Sequence, residues 1–195
     1  DDGSYTIEIN NLSGKVTIIG HEGSGAMITI TNIALEIPEM DVQNAHKLSK
    51  TIVTHLEDEE NIKIIGTPTL PKDIKIEKII EIHLPKHVIL NCQILGGDIN
   101  VNGLKGESIL ETLGGDIVIK NHMGRIEAKT SGGDMYISDF DGVFRGHSYG
   151  GDIKLSTSKG ELSSSSIGGD IYMADLSGKI SSQTSGGKIS LLRIQ

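Results

Sequence analysis

From residue 88 onward the chain alternates apolar and polar residues in short runs, and each run starts at a fixed distance from a glycine. The apolar positions come two and four residues after that glycine: Ile99 and Val101, Ile117 and Ile119, Met135 and Ile137, Ile153 and Leu155, Ile171 and Met173, Ile189 and Leu191. A period of two is typical of a β-strand that buries one face. This part of the chain is therefore predicted to consist of short strands with one buried side.

The glycines themselves repeat. Gly-Gly pairs begin at Gly96, Gly114, Gly132, Gly150, Gly168 and Gly186, always 18 residues apart, and a further glycine lies midway, as at Gly106 and Gly124. A fixed period of this kind means that each unit buries its apolar side against its neighbours. We therefore predict an all-β fold, a single-chain parallel β-solenoid with 18-residue coils and 9-residue half-repeats. Strands of successive coils should lie ~4.8 Å apart, and right-handed coils are expected.

Each glycine in register is expected to form a tight corner with positive φ. The structural glycines of the repeat are Gly97, Gly115, Gly133, Gly151, Gly169 and Gly187. A column of hydroxyl residues precedes them and is expected to form hydrogen bonds from coil to coil: Thr112, Thr130, Ser148, Ser166 and Thr184. Cys92 falls at an inward position, where a free cysteine packs as a small apolar residue.

The first 87 residues are less regular. Residues 12–16 (Leu-Ser-Gly-Lys-Val) nearly copy residues 176–180 (Leu-Ser-Gly-Lys-Ile), which predicts an earlier, diverged coil. A short helix is predicted at about residues 40–50, and a hairpin from Ile52 to Ile65 around an acidic turn. Strands are predicted at 74–84 and 88–94. We thus divide the chain into an irregular N-terminal β-rich part, 1–87, and a regular solenoid, 88–195, continuous with it.

Composition and charge exclude some functions. The net charge is −8 and the chain has no basic run, so nucleic acid is not an expected partner. No stretch reaches the roughly 18 apolar residues that a membrane helix needs. The chain starts at Asp1 rather than Met, so the absence of a signal peptide does not bear on export. The seven histidines are predicted to be scattered surface residues rather than metal ligands: His21, His46, His55, His83, His87, His122 and His147. His83 and His87, on either side of Pro85, are the one pair left open as ligands.

Residues 84–86 (Leu-Pro-Lys), the alternating strand after them and the Gly-Gly-Asp-Ile coils resemble a bacterial family of domains of unknown function labelled "putative adhesin" and also called toastrack. The resemblance extends over most of the chain, including the early Leu-Ser-Gly-Lys-Val-Thr-Ile segment. It implies a β-solenoid of the cell envelope or the cell exterior, without an established activity. Fold alone does not imply a function.

Two features invite a catalytic interpretation. Residues 146–150 read Gly-His-Ser-Tyr-Gly, the pattern of a hydrolase nucleophile elbow, but Ser148 lies in the hydroxyl column and no helix is expected after it. An aspartate column recurs at the start of each coil: Asp98, Asp116, Asp134, Asp152 and Asp170. Such a ladder has no distinguished acid and nucleophile. We predict no catalytic residues, and keep a polysaccharide-active β-helix lyase or hydrolase as the alternative.

The aspartate column could bind Ca²⁺, but hydrogen bonds from backbone N–H groups at each residue's own corner are the favoured interpretation, so no cofactor is predicted. Tyr136, Lys154 and Tyr172 form an outward column that is the candidate ligand site, because exposed tyrosines are common contact residues. We therefore expect a non-catalytic interaction scaffold for an unidentified protein or glycan. Its apolar C-terminal coil, residues 191–195, is a candidate for self-association.

Overall fold

The computed structural model describes residues 5–36, 50–56, 60–66 and 75–195. These residues form an all-β parallel solenoid, as predicted, with coils 18 residues apart. The fourteen strands are β1 (Tyr5–Ser13), β2 (Lys15–His21), β3 (Met27–Glu36), β4 (Ile52–Leu56), β5 (Asn61–Ile65), β6 (Lys75–Pro85), β7 (His87–Gly96), β8 (Ile99–Asn102), β9 (Lys105–Thr112), β10 (Ile117–Thr130), β11 (Met135–Ser148), β12 (Ile153–Ser166), β13 (Ile171–Thr184) and β14 (Ile189–Ile194).

Each coil contributes one strand segment to each of two ladders. Face A runs through β4, β5, β1, β7 and β9 and then the second halves of β10 to β13. Face B runs through β3, β6, β2 and β8, then the first halves of β10 to β13, and ends at β14. From β7 onward, residue i faces residue i+18, as in Ile117↔Met135 and Gly124↔Gly142. The in-register stack places chemically similar side chains in columns along the solenoid.

The core lies between the two faces and contains the predicted inward columns. It also contains a column that was not predicted: Leu104, His122, Phe140, Ser158 and Leu176. Ile99, Ile117 and Ile153 are completely buried, and so is the thiol of Cys92, whose burial raises its pKa to about 12. The inward prediction for Cys92 is therefore confirmed. Large and small residues compensate within a coil: a side chain on Gly146 would lie 2.6 Å from the Phe144 ring, so this glycine makes room for phenylalanine.

Glycine is required in the repeat for two different physical reasons. At the midway position, as in Gly124 (φ 126°) and Gly142 (φ 141°), the predicted positive φ is confirmed. At Gly115 and its equivalents in later coils the prediction is wrong, because φ lies outside the left-handed region. There a Cβ would lie about 2 Å from the carbonyl oxygen of the glycine one coil earlier, as it would for Gly115 against Gly97. Close approach of successive coils requires glycine at these positions.

The opposite corner contains a feature that the glycine pattern does not reveal. One residue per coil has positive φ there, and after Gly103 it is never glycine: Asn121 (φ 51°), Asp139 (φ 54°), Thr157 (φ 49°), Asp175 (φ 56°) and Arg193 (φ 50°). Asparagine and aspartate are enriched in this conformation, whereas a β-branched residue in it is an outlier. We call this column the left-handed corner.

The N-terminal coil is confirmed, but it is not at the end of the stack. β1 pairs in parallel with β5 on one side and with β7 on the other. β2 is similarly flanked by β6 and β8. The first strands of the chain are thus held between two later coils, and the connection from β6 to β7 passes over them.

The stack is closed at the N-terminal side by antiparallel strands. β3 pairs antiparallel with β6, and β4 pairs antiparallel with β5, which confirms the predicted hairpin. The helix predicted at about residues 40–50 falls almost entirely on residues 37–49, which lie outside the described residues. Within the described ranges the structure contains no helix that could span a membrane.

The C-terminal side of the stack is more open. Among the described residues β14 pairs only with β13, and all six residues of β14 are exposed. Leu191 is 55% exposed and Leu192 is 44% exposed. The apolar core therefore meets solvent at this last coil.

Candidate functional site

The aspartate column has a structural role in every coil. One carboxylate oxygen (Oδ1) of each aspartate accepts a hydrogen bond from the backbone N–H of the residue 18 positions later, at 2.7 to 3.0 Å. The predicted acceptor role is right, but the donor belongs to the next coil rather than to the residue's own corner. The donors are the N–H groups of Asp116, Asp134, Asp152, Asp170 and Lys188.

Because the five carboxylates share one arrangement, none is set apart as an acid or a nucleophile. Asp134 has one additional partner, since the Tyr136 hydroxyl donates to its Oδ2 at 2.9 Å. In the described part of the chain, no three His, Cys, Asp or Glu side chains are grouped to hold a metal ion. The column therefore connects successive coils.

The hydroxyl column bridges the same corners. Each hydroxyl donates to a glycine carbonyl 15 residues earlier, at 2.8 to 3.3 Å, and accepts the N–H of the glycine three residues later, at 2.9 to 3.4 Å. Ser148 donates to Gly133 and accepts from Gly151, and it is fully buried. Its hydroxyl is thus engaged with the backbone on both sides, unlike the exposed serine of a nucleophile elbow.

The structure brings Tyr136, Lys154 and Tyr172 together on face B, at the same position of three successive coils. The Lys154 ammonium lies 5.1 Å from the centroid of the Tyr136 ring, a cation–π contact. It is also 4.0 Å from the carboxylate of Asp152. The hydrogen bond from the Tyr136 hydroxyl to Asp134 raises the pKa of that phenol. Tyr172 remains 41% exposed. We call this column the tyrosine surface.

His122 does not match its surface prediction. It is only 1% exposed, and its Nε2 lies 3.1 Å from the Ser108 hydroxyl, with its ring stacked on Phe140 at 5.9 Å between centroids. Its Nδ1 is buried without a hydrogen-bond partner. Burial lowers the pKa of His122 to about 4, because the charged form is poorly solvated there. Ser108 stands where the next coils have Ile126 and Phe144, which was the sequence signal for a buried polar pair.

A groove follows the left-handed corner. Three adjoining cavities of about 190, 350 and 400 Å³ lie along it. The first two share Asp139 and Asp141, and the last two share Asp175 and Ser177, so the three are continuous. One wall of the groove is formed by the positive-φ residues of the left-handed corner, and the other by the residues two positions later in each coil. Neither wall was singled out by the sequence, because the wall residues share no side-chain type. We call it the corner groove.

No protein-family model matches the chain, and no curated protein is significantly similar to it. Among solved structures, the chain is similar to the crystal structure of a "putative cell adhesion protein" from Clostridium sporogenes ATCC 15579. The alignment covers 99% of this chain and 93% of that chain, with 12% sequence identity and a TM-score of 0.37.

Proposed function

We propose that this chain is a non-catalytic interaction module of the cell envelope or the cell exterior, which presents a rigid outer face to a protein or glycan partner. The observation that carries the proposal is the tyrosine surface. Tyr136, Lys154 and Tyr172 are outward-facing and are held in register by parallel ladders on both sides. Aromatic side chains on a rigid sheet lose little conformational freedom on binding, which favours affinity.

The two features that suggest catalysis are engaged in holding the coils together. Ser148 is buried between backbone groups, and the aspartate column accepts backbone N–H groups. These contacts support a scaffold rather than the polysaccharide lyase or hydrolase that the fold also allows. No observation favours that enzyme.

A glycan and protein binding screen, with and without calcium, tests the proposal, and reducing-end release is assayed on every glycan that binds. The variant is Tyr136→Ala combined with Tyr172→Ala. The matched control is Tyr149→Ala, which removes a tyrosine of similar exposure (45% against 41% for Tyr172) outside face B. Binding that the double variant abolishes and the control retains supports the tyrosine surface. Cleavage of a bound glycan, or binding that is equal in both variants, would overturn the proposal.

We also propose that the C-terminal coil mediates self-association between copies. The open edge of β14 exposes Ile189, Leu191, Leu192 and Ile194, and an unpaired edge of this kind can pair with another chain. Leu191→Lys with Leu192→Lys should convert an oligomer to a monomer in light scattering at high concentration. A wild-type protein that stays strictly monomeric at the same concentration contradicts this part of the proposal.

A further inference from the structure

The corner groove extends along the stack rather than forming a closed pocket. From the coil of Gly103 to that of Arg193 there are five coil-to-coil steps, so the groove is ~24 Å long at ~4.8 Å per step. Each step presents one positive-φ side chain, and those of Asn121, Asp139, Thr157 and Asp175 are exposed. A groove with one polar group per coil fits an extended polymer better than a compact ligand.

In five successive coils, the residue at the left-handed corner is not glycine and yet has an unfavourable backbone conformation with positive φ. Thr157 is the clearest case, because a β-branched residue rarely adopts positive φ. Such residues cost of order 1–3 kcal/mol each, and they cluster at ligand-binding positions. Glycine, which occupies this corner at Gly103, would relieve the strain but would remove the side-chain oxygen from the wall.

Backbone N–H groups at the Gly103 end of the corner are already paired, which limits what can bind there. The N–H of Gly103 donates to Lys120, that of Lys105 to Lys86, and that of Met123 to Leu104, at 2.7 to 3.1 Å. An extended peptide binds mainly through such backbone groups when it adds to a sheet. In the central cavity of the groove every polar side chain except that of Lys159 carries an oxygen, and these suit a ligand that carries many hydroxyl or amino donors.

The charged side chains along the corner groove limit the class of ligand further. Lys159 is paired with Asp141 at 3.0 Å, and Arg193 donates to Asp175 at 2.7 Å. In the part of the chain that the structure describes, Asp139 has no such partner; it is exposed and lines the first two cavities. Beside it, the buried His122 has an Nδ1 atom without a hydrogen-bond partner. Of the other cations along the groove, Lys86 is paired with Glu22, whereas Lys105, at the Gly103 end, has no ion pair among the described residues. The central part of the groove therefore has a paired cation and a free carboxylate, which disfavours an anionic ligand there.

From this geometry we infer that the corner groove binds a linear polysaccharide that contains amino sugars, with its axis along the stack and an ammonium group at Asp139. Hydroxyl groups of neighbouring sugars donate to the wall oxygens of Thr157, Ser177 and Asp175. This site is separate from the tyrosine surface, and the inference does not depend on the function proposed for that surface.

Isothermal titration with three oligosaccharide series tests the inference: glucosamine oligomers, the same oligomers fully N-acetylated, and oligomers of a uronic acid. We expect the glucosamine oligomers to bind most tightly and the uronic acid oligomers not to bind. Asp139→Asn should weaken glucosamine binding about ten-fold, because a charged hydrogen bond is lost. The variant should fold normally, since asparagine occupies the same corner position at Asn121.

Three controls separate the alternatives. Tyr149→Ala, at the opposite corner, should leave glucosamine binding unchanged. Tyr172→Ala shows where the oligomers bind, and a loss in that variant that Asp139→Asn does not share would assign the binding to the tyrosine surface and overturn the inference. Oligolysine tests for binding through charge alone, and oligolysine that binds as tightly as glucosamine oligomers of equal charge would also overturn it. Equal binding of all three oligosaccharide series, or unchanged affinity in Asp139→Asn, would do the same. Retained binding of the N-acetylated series by Asp139→Asn would support the assignment of the ammonium to Asp139.

Discussion

The two glycines of a Gly-Gly pair should differ sharply in their tolerance of a side chain, and Gly114 and Gly115 test this within one corner. A Cβ on Gly114 meets no atom within 4 Å. A Cβ on Gly115 would lie 1.9 Å from the carbonyl oxygen of Gly97 and 2.2 Å from its carbonyl carbon. Both residues have φ outside the left-handed region, so the comparison isolates steric contact from backbone conformation.

The magnitude follows from the displacement that alanine would force. Restoring a 3.0 Å contact requires the two coils to separate by 1.1 Å at this corner, the difference between 3.0 and 1.9 Å. The hydrogen bonds that cross there, from Thr112 to Gly97 at 2.9 Å and from Asp116 to Asp98 at 3.0 Å, would then be broken. Overpacking costs ~1–3 kcal/mol and each lost hydrogen bond ~1 kcal/mol, so Gly115→Ala should cost about 3 kcal/mol or more.

Thermal unfolding followed by circular dichroism, together with urea unfolding, measures the effect. A loss of about 3 kcal/mol corresponds to a fall in Tm of ~6–12 °C for a chain of this size. Gly114→Ala should leave Tm unchanged or raise it slightly, because alanine reduces the entropy of the unfolded chain by ~0.4–1 kcal/mol at a compatible site. Equal losses in the two variants, or a Gly115→Ala protein as stable as the parent, would refute the close-approach argument.

Three further predictions concern the core and the corners. The pKa of His122 is about 4 in the folded protein and ~6.5 in the unfolded chain, so only the unfolded chain takes up a proton between these values. The free energy of unfolding should therefore be unaffected by His122 above pH 6.5 and fall by about 3 kcal/mol as the pH drops from 6.5 towards 4. Urea unfolding of His122→Leu should lack this pH dependence, and the same dependence in the variant would disprove the assignment. Ser148→Ala should cost ~1–3 kcal/mol by leaving the Gly133 carbonyl and the Gly151 N–H unpaired, whereas Ser148→Thr should be as stable as the parent, since threonine occupies the same column. Calcium should not change Tm, because one oxygen of each column aspartate is engaged by the backbone, and a rise of several degrees would count against this.

The regular half of the fold could be predicted because its period is visible in side-chain types. Strand positions, inward columns and the hydroxyl ladder all follow from an 18-residue repeat of glycine and aliphatic residues. The reason for each glycine could not be predicted with the same success. Gly115 and Gly124 look alike in sequence, and a Cβ on either would lie close to a carbonyl oxygen of the preceding coil, at 1.9 and 2.3 Å, but only Gly124 also has a positive φ, of 126°. The sequence pattern does not reveal this difference in backbone conformation.

The corner groove was not predictable from side-chain identity. Asn121, Asp139, Thr157, Asp175 and Arg193 share a backbone conformation but not a chemical type. Gly103 in the same column, together with asparagine and aspartate, was the available signal for positive φ. The position of β1 was similarly hidden, because parallel pairing between coils distant in sequence leaves no local pattern. The tyrosine surface, in contrast, followed directly from the repeat, since outward positions 18 residues apart must be neighbours.

The location of β1 between β5 and β7 has a mechanical consequence. A force that pulls on Tyr5 along the strand must shear two hydrogen-bonded ladders at once, because β1 has a partner on each side. A force on β14 has one ladder to break, since within the described residues β14 pairs with β13 alone. Resistance to forced unfolding depends on the rate of unfolding rather than on equilibrium stability. Under tension along the strand, β14 should therefore detach at a lower force than β1.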